Sequence, residues 1–376
     1  MMPSERKGPA LKFSINQSEL QNALTIVMKG VSSRATLPVL AGVHCRATGD
    51  TLTLQTTDLK LSVQYHVNAL VEEEGETVIP GKLVSDIVKS LPDAAVHVEA
   101  GEDAASIICD AASFSLKTLQ AQDFPAFPEV VPQQTIAVPF PEFAAMVKRV
   151  ARVVSRDESR AILTGILVTN ENGMLRMVAT DSYRLAITEA PLPDSEAEDF
   201  QAVIPGAFLQ DIAALPRTDD QVTIALADNQ IVVRYQDTVF VNRRLEGTYP
   251  NYRQLLPDSY ATRVGFDTAQ LASAVKRTSL LSSTTSPIRF DVNAASNTTQ
   301  LSTVTQDVGA AQETLASAVE GEDVVVAFNY AYVLDGLGAV ETDRVYLEAQ
   351  DSRRPGIFKA DEGENFLYLV MPVRLS

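Results

Sequence analysis

The side chains in this sequence that could bind a metal or form a disulfide are few and scattered. The two cysteines are Cys45 and Cys109, and the three histidines are His44, His66 and His97. Neither set has the close, paired spacing of a zinc site or of a disulfide framework. We therefore expect two buried, reduced thiols, with neither a bound metal nor another cofactor.

Two aspartates occur in similar stretches, and each could act as a general base. Asp58 lies in "LQTTDLK" and Asp181 lies in "MVATDSYR". An enzyme such as a hydrolase would also need a nucleophile, metal ligands or a phosphate loop. The nearest approach to a phosphate loop, from Gly75 to Lys82, has too long a glycine spacing and ends in Leu83 instead of a hydroxyl residue. We interpret both aspartates as turn residues and predict that the chain is not an enzyme.

The sequence repeats itself at long range. "VIPGKLVSDIVKSLP" begins at Val78, and "VIPGAFLQDIAALP" begins at Val203. Asp335 marks a third, weaker copy, because it follows Asp211 by nearly the interval that separates Asp211 from Asp86. This interval lies within the usual size of one domain, roughly 100–150 residues. We predict a disordered extension at 1–10 and three tandem domains at 11–131, 132–257 and 258–376.

Each copy has the pattern of a strand, a helix and three strands, followed by the same series again. In the first copy, the residues from Ser18 to about Gly30 place apolar side chains at helical spacing, with Ser18 as the predicted N-cap. A second helix is predicted after Pro80 and Gly81. The short connections between strands are typical of hairpins. The predicted fold class is α+β, with two helices in each domain packed on largely antiparallel sheets.

The net charge of −17 argues at first against nucleic acid, because phosphate-binding proteins normally carry a basic surface. The first helix of the second copy nevertheless carries a basic stripe, and a Lys-Arg pair recurs at the matching place in the third copy. Any one of these helices is equally consistent with an ordinary solvated face. Together they would make sequence-independent, salt-sensitive contacts to phosphates. The basic residues assigned to this surface are Arg34, Lys82, Lys89, Lys148, Arg149, Arg152, Arg156, Lys276 and Arg277.

The sequence has no feature that predicts a membrane protein or an exported one. No apolar run approaches the ~20 residues that are needed to span a bilayer. The opening residues, "MMPSERKGPA", lack the apolar stretch of a signal peptide. We therefore expect a cytoplasmic protein.

Five stretches are distinctive enough to be compared with known families, namely "TLPVL", "VATDSYRLA", "YPNYRQLLP", "FNYAYVLDGL" and "YLVMPVRL". From Leu11 to Ser376 the chain resembles the bacterial sliding clamps, the β subunits of DNA polymerase III, which carry such stretches in this order on a threefold repeat. The resemblance implies a homodimer that closes head-to-tail as a ring, with helices around double-stranded DNA and sheets on the rim. It also implies a non-catalytic scaffold that tethers the replicative DNA polymerase, the clamp loader and other partners.

The resemblance further implies a groove that receives a short linear motif of partner proteins. We call it the peptide groove. Its implied residues are Leu163, Thr180, Ser182, Tyr183, Arg184, Leu185, Pro250, Leu255, Asn329, Tyr332, Met371, Pro372, Val373, Arg374 and Leu375. Some family members have Gly-His in place of Ser182-Tyr183 and an arginine in place of Gln254. These departures bear on the motif preference of the groove.

The resemblance also implies where two protomers meet. Phe114 and Leu116 of one protomer would contact Leu280 and Leu281 of the other. Two other functions remain open from the residues themselves, namely an enzyme that uses one of the two turn aspartates and a repeat scaffold that does not bind DNA. Retention on circular DNA, with release when that DNA is linearised, distinguishes a clamp from such a scaffold.

Overall fold

The structure of the chain is a computed structural model that describes residues 11–32, 37–192, 198–282, 287–306, 308–361 and 365–374. The predicted extension at 1–10 and the predicted site residues Arg34 and Leu375 lie outside these ranges. Within the described part, no helix is both long and apolar enough to cross a membrane. The chain forms two compact units. The first unit is Met1–Pro139 with Leu215–Arg243, and the second is Phe140–Ala214 with Arg244–Ser376.

The order of strands and helices repeats three times along the chain. The first repeat contains β1 (Leu11–Asn16), α1 (Gln17–Val27), β2 (Gly42–Thr48), β3 (Thr51–Thr57), β4 (Ser62–Asn68), β5 (Leu70–Glu73), β6 (Gly75–Pro80), α2 (Gly81–Ser90), β7 (Ala95–Ala100), β8 (Ala104–Cys109) and β9 (Ala112–Lys117). The second contains β10 (Gln134–Pro139), α3 (Phe140–Ala151), β11 (Gly165–Glu171), β12 (Met174–Thr180), β13 (Arg184–Pro191), β14 (Phe200–Pro205), α4 (Gly206–Ala213), β15 (Gln221–Leu226), β16 (Gln230–Tyr235) and β17 (Thr238–Arg243).

The third repeat follows the same order. It contains β18 (Thr262–Asp267), α5 (Thr268–Thr278), β19 (Ile288–Asn293), β20 (Thr298–Thr305), β21 (Gly309–Ala316), β22 (Ala318–Gly321), β23 (Val324–Phe328), α6 (Tyr330–Leu337), β24 (Arg344–Ala349), β25 (Gly356–Ala360) and β26 (Phe366–Val370). The predicted order of elements is confirmed in the second repeat. The first and third repeats each contain one further short strand, β5 and β22.

Each unit contains two sheets built from antiparallel strand pairs, which confirms the predicted α+β class. In the first unit the strand orders are β5-β1-β7-β8-β9 and β10-β15-β16-β17-β4-β3-β2-β6. In the second unit they are β14-β11-β12-β13-β26-β25-β24-β18-β22 and β21-β20-β19-β23. Two strand pairs join successive repeats into one sheet. Strand β4 pairs with β17 in the first unit, and β13 pairs with β26 in the second.

The predicted start of helix α1 is wrong by two residues. The helix begins at Gln17 with Asn16 as its N-cap residue, so Ser18 lies inside the first turn. Strand β1 runs directly into the helix, and the Gln17 N–H donates to the Ala94 carbonyl at 3.0 Å. That bond fixes the position at which the strand ends. The predicted apolar stripe is confirmed, and its buried residues are Leu20, Ala23, Leu24 and Val27.

The two large sheets carry equivalent rows of side chains that differ in polarity. Across β2, β3, β4 and β17, the paired residues are His44, Gln55, Gln64 and Val239. Across β11, β12, β13 and β26, the residues at the corresponding positions are Leu167, Val178, Ile187 and Leu367. The second row lies in or against an apolar cluster of the second unit. The first row is polar over three of its four positions.

His44 is a buried imidazole in the polar row of the first unit. Only 7% of the residue is exposed, and its ring stacks on Phe124 with centroids 5.1 Å apart. Its Nε2 lies 3.3 Å from a carboxylate oxygen of Glu76. Burial lowers the pKa of His44 below its ordinary value, and it outweighs the opposing effect of Glu76. The folded protein therefore holds this imidazole neutral.

We expect His44→Leu to stabilise the protein by about 1–2 kcal/mol near pH 6, because it removes a buried polar group. The folded-state pKa is depressed, so the unfolded chain binds the extra proton first and the wild type loses stability as pH falls below about 6.5. The advantage of the variant should grow as pH is lowered in that range. Urea unfolding of both proteins between pH 5 and 7.5 measures it. An advantage that does not change with pH contradicts this explanation.

Helix α6 packs against β26 through a glycine. A Cβ atom on Gly336 would collide with the ring of Tyr368, whereas one on Gly338 would meet the mobile end of the Arg152 side chain. Tyr368 is buried and cannot move aside. Gly336 is therefore required for the close approach of α6 to the nine-stranded sheet.

Alanine at these two positions should have different effects. In an ordinary helix Gly→Ala stabilises by about 1 kcal/mol, but Gly336→Ala should destabilise the protein by about 1–3 kcal/mol because of overpacking. Gly338→Ala is the matched control and should change the free energy of unfolding by less than about 0.5 kcal/mol. Chemical denaturation of the two variants compares them. Equal effects would mean that the contact with Tyr368 does not limit the approach of α6.

Candidate functional site

The second unit contains an apolar cluster built from three segments that are distant in the sequence. Leu185 of the predicted peptide groove belongs to it, and Leu163 is buried in the nearby 3-10 helix Glu158–Thr164. Sequence reasoning missed most of the cluster. The remaining buried members are Leu167, Val178, Ile187, Val203, Tyr249, Tyr252, Ile357 and Leu369. The members on strands had only the alternation of apolar residues as a sequence signal, whereas Tyr249 and Tyr252 lie in the segment between β17 and β18.

The turn between β12 and β13 carries several of the predicted groove residues. The Asp181 carboxylate accepts hydrogen bonds from the N–H groups of Tyr183 and Arg184 at 2.9 and 3.0 Å. Asp58 accepts the equivalent bonds in the first repeat, from Lys60 and Leu61. The prediction that both aspartates form turns is therefore confirmed. The turn leaves Tyr183 59% exposed.

Ser182 occupies a left-handed backbone conformation, with φ of 80°, in which glycine is the less strained residue. Its N–H donates to the Thr180 hydroxyl at 3.1 Å, and its own hydroxyl accepts from Arg160 Nη1 at 2.9 Å. Arg160 also pairs with Asp157 at 3.0 Å. The serine side chain thus ties the turn to the segment that precedes Leu163, a bond that glycine could not make.

Arg184 is the most extensively bonded residue of the site, and its side chain is 10% exposed. Its Nε donates to Asp181 at 3.0 Å, and its Nη1 donates to Asp335 at 2.5 Å and to the Tyr368 hydroxyl at 3.2 Å. Its Nη2 donates to the carbonyl of Arg152 at 2.9 Å. Burial opposes the charge, but Tyr368, Asp335 and Asp181 together raise the pKa of Arg184 above its ordinary value. The guanidinium is therefore permanently charged.

Two tyrosine rings form a shelf beside this guanidinium. Arg184 lies over the Tyr332 ring, 4.4 Å from its centroid, and Tyr183 stacks on Tyr332 at 6.5 Å and 28°. Tyr332 lies on α6, whose N-cap residue is Asn329 with a side-chain bond to the Ala331 N–H at 2.9 Å. An exposed aromatic surface of this type favours stacking of apolar, aromatic or cationic groups.

The carboxyl-terminal segment is held on both sides of the shelf. The Met371 N–H donates to the Tyr183 carbonyl at 2.9 Å, and the Val373 N–H donates to the Ala327 carbonyl at 2.8 Å. Met371 is 38% exposed. The prediction that this tail is tied into the fold is confirmed as far as Val373. The structure brings Tyr183, Tyr332 and the tail together.

The segment between β17 and β18 supplies two of the predicted groove residues, Pro250 and Leu255. Tyr249 is buried in the cluster and donates to the Val178 carbonyl at 3.3 Å. Arg253 pairs with Glu171 at 2.6 Å, which fixes the 3-10 helix Tyr252–Leu255 on the sheet. Pro250 and Gln254 of this segment are exposed, and Leu255 is 45% exposed. These residues therefore offer contact surface beside the cluster.

The prediction that one helix of the second repeat carries all four basic residues of the stripe is wrong. Helix α3 ends at Ala151, so Arg152 and Arg156 follow it. The helix ends there because side chains satisfy its last carbonyls: Gln210 donates to Ala151, and Arg184 donates to Arg152. Val153, next in the chain, is then fully buried.

Apart from Arg34, which lies outside the described residues, the other predicted basic residues lie on helices as expected. Lys148 and Arg149 both approach Glu341, at 3.8 and 3.5 Å. On α5, Lys276 is exposed and Arg277 pairs with Glu313 at 2.5 Å. In the first unit, Lys82 and Lys89 are both exposed on α2.

The residues of the predicted contact between protomers lie on or beside two edge strands. Strand β9 is the edge of its five-stranded sheet, and Phe114 and Leu116 lie on it, both half-buried. Strand β21 is the edge of the four-stranded sheet, and Leu280 and Leu281 lie in the 3-10 helix Ser279–Leu281, which packs beside β20 and β21. Leu280 is 78% exposed. Sequence reasoning missed two exposed valines near the same edge, Val304 and Val308.

Known proteins resemble this chain over almost its whole length. Residues 11–128, 137–251 and 253–374 match, in this order, the N-terminal, central and C-terminal domains of the DNA polymerase III beta subunit. The beta sliding clamp of Synechocystis is 31% identical, over 97% of this chain and all of that protein. The DNA polymerase sliding clamp of Bacillus subtilis has the same fold, with a TM-score of 0.93 at 27% identity over 98% of this chain and all of that one. The Pseudomonas aeruginosa clamp bound to griselimycin gives a TM-score of 0.92 at 27% identity, over 97% of this chain and all of that one. The chain belongs to the DNA polymerase III beta subunit family, the bacterial sliding clamps.

Proposed function

We propose that this protein is a non-catalytic DNA sliding clamp: a cytoplasmic homodimer that closes head-to-tail around duplex DNA. It tethers the replicative polymerase, and it binds the clamp loader and other partners, called clients below. The observation that carries this proposal is the ordered match of three successive domains to the beta subunit across residues 11–374. We keep the domain boundaries after residues 131 and 257, in the two proline-containing linkers.

Open sheet edges support the proposed ring. Strands β9 and β21 each leave one side without a strand partner within the described chain. Such edges are suited to pairing with another chain. Burial of Phe114, Leu116, Leu280 and Leu281 at each of two contacts would contribute about 1.5–3 kcal/mol for each fully buried side chain. That contribution is large enough to offset the cost of association.

The basic residues support the proposed contact with DNA. Lys148 and Arg149 both pair with the exposed carboxylate of Glu341. A DNA phosphate that binds these two side chains would take the place of that carboxylate. Such contacts are weak singly and depend on salt. A ring does not need strong contacts, because closure around the duplex retains it. The net charge of −17 then discourages binding of DNA outside the ring.

The geometry of the second unit supports a client site at the peptide groove. An apolar cluster, an aromatic shelf and a tail held by backbone hydrogen bonds lie together there. A peptide with an aliphatic and an aromatic anchor would gain about 3–6 kcal/mol from burying them. Backbone hydrogen bonds would add about 1 kcal/mol each, against a similar cost of ordering the peptide. The expected affinity is roughly micromolar, which allows clients to exchange.

The ring can be tested by opening the protomer contact. Leu280→Ala combined with Leu281→Ala should convert the dimer to a monomer, because both leucines on one side of that contact are truncated. Light scattering measures the mass, and retention on circular DNA measures closure. Leu59→Ala is the matched control, since it truncates an exposed leucine of the first repeat. A variant that stays dimeric at low concentration contradicts the assignment of the contact.

The same retention assay separates the clamp from a repeat scaffold that does not bind DNA. The wild-type ring should stay on closed circular DNA and slide off when the DNA is linearised. A scaffold without a DNA channel shows no difference between the two DNA forms. Loss of binding that depends only on salt, and not on DNA topology, would indicate surface binding instead of encirclement.

The client site can be tested by shortening the tail. Deletion of Val373 through Ser376 removes the backbone bond to Ala327 and one wall of the groove. Binding of a clamp-binding peptide should fall at least about tenfold, or 1.4 kcal/mol, while the protein still dimerises. Deletion of Ser376 alone is the control. Fluorescence polarisation with a labelled peptide measures both, and undiminished affinity in the longer deletion would place the client site elsewhere.

A further inference from the structure

We infer that Arg184 is a positioning residue of the peptide groove, which holds the two sides of the groove together without touching the client. This inference rests on the proposed binding of clients in that groove. The role of Arg184 thus differs from that of Tyr183, the preceding residue, whose exposed ring is available for direct contact.

The bonds of Arg184 leave it little capacity to bind a client. A guanidinium has five N–H donors, and those of Arg184 reach Asp181, Asp335, the Tyr368 hydroxyl and the Arg152 carbonyl. One face of the planar group is covered by a tyrosine ring at 4.4 Å. The side chain is 10% exposed. A client would have to displace these partners before it could accept a bond from Arg184.

The partners of Arg184 come from four separate elements. Asp181 lies in the turn before β13, and Arg152 follows α3, both in the second repeat. Asp335 and Tyr332 lie on α6, and Tyr368 lies on β26, all in the third repeat. Tyr368 also donates to the Tyr332 carbonyl at 2.8 Å. Arg184 therefore fixes the distance between the turn that presents Tyr183 and the helix that presents Tyr332.

The two carboxylates around Arg184 explain why a forked guanidinium group is needed at this position. Two carboxylates, Asp181 and Asp335, are held by one cation and would repel each other without it. Lysine keeps the charge but lacks the planar fork that reaches several acceptors at once. In Arg184→Lys, the turn and α6 should move apart for part of the time, and the aromatic shelf should then be intact in only a fraction of molecules.

A positioning role and a contact role predict different binding kinetics. If the groove is formed in only a fraction of molecules, the apparent affinity falls by that fraction and the loss is in the association rate. If a direct contact is lost, the complex falls apart faster, as in most interface variants. Stopped-flow fluorescence with a labelled peptide that carries an aliphatic and an aromatic anchor measures both rates.

We expect Arg184→Lys to reduce the association rate about tenfold and to leave the dissociation rate within about twofold of wild type. Tyr183→Ala, the matched contact variant, should instead raise the dissociation rate. Arg289→Lys, which alters an exposed arginine paired with Asp291 in the four-stranded sheet, should change neither rate. Asp335→Asn weakens the same network from its exposed side and should slow association in the same way, although less.

Two results overturn the inference. A dissociation rate raised about tenfold in Arg184→Lys, with association unchanged, would make Arg184 a client contact. Unchanged rates in both Arg184→Lys and Asp335→Asn would remove it from the groove altogether. If Arg184→Lys does not fold, Asp335→Asn decides between these outcomes. Failure of the wild type to bind the peptide would instead reject the proposed client site itself.

Discussion

The pairing of β13 with β26 is the interaction on which the site of the second unit depends. It joins a strand of the second repeat to the last strand of the third, with Arg184 opposite Val370 and Leu185 opposite Leu369. A shift of one residue would turn every side chain of β26 to the other face of the sheet. The apolar cluster, the contact between Arg184 and Tyr368 and the position of the tail all require this register.

The first unit has the equivalent pair of strands between repeats, but the side chains on that sheet are more polar. Strand β4 pairs with β17, and His44, Gln55 and Gln64 occupy the positions that Leu167, Val178 and Ile187 occupy in the second unit. A leucine N–H also donates to a valine carbonyl at 2.8 Å in both, from Leu119 to Val78 and from Leu245 to Val203. The backbone is thus repeated while the side chains differ. The proposed client site lies in the second unit alone, and we attribute this to the difference in polarity between the two rows.

Charge is organised locally in this acidic protein. Arg184 is held by two carboxylates, Arg277 by Glu313, and Lys148 and Arg149 by Glu341. The first of these groups is largely buried, and its arginine makes hydrogen bonds that keep it in one geometry. The Arg277–Glu313 and Lys148–Glu341 pairs lie nearer the surface, where an ion pair contributes little to stability, whereas the Arg149 side chain is only 16% exposed. The buried ion pairs of Arg184 therefore hold the site of the second unit in one geometry.

The sequence by itself determined the threefold repeat, the order of elements, the turn role of Asp58 and Asp181, and membership of the family. These features depend on local patterns, such as apolar spacing and turn chemistry, that are written within a few residues and recur in each copy. The fold class followed from the same patterns. The predicted N-cap Ser18 failed because a long-range bond from Gln17 to Ala94 set the boundary.

Only the tertiary structure decided which distant side chains meet. Asp335 and Tyr368 lie far from Arg184 along the chain, and nothing local to any of them indicates their contact. Ile357 and Leu369 joined the cluster through strand register, which a sequence does not display. Helix α3 ends before Arg152, where the side chains of Gln210 and Arg184 donate hydrogen bonds to the carbonyls of Ala151 and Arg152. Contacts of this kind arise from packing between segments that are distant in the sequence, within a repeat as well as between repeats, where the partner of a side chain depends on the whole fold.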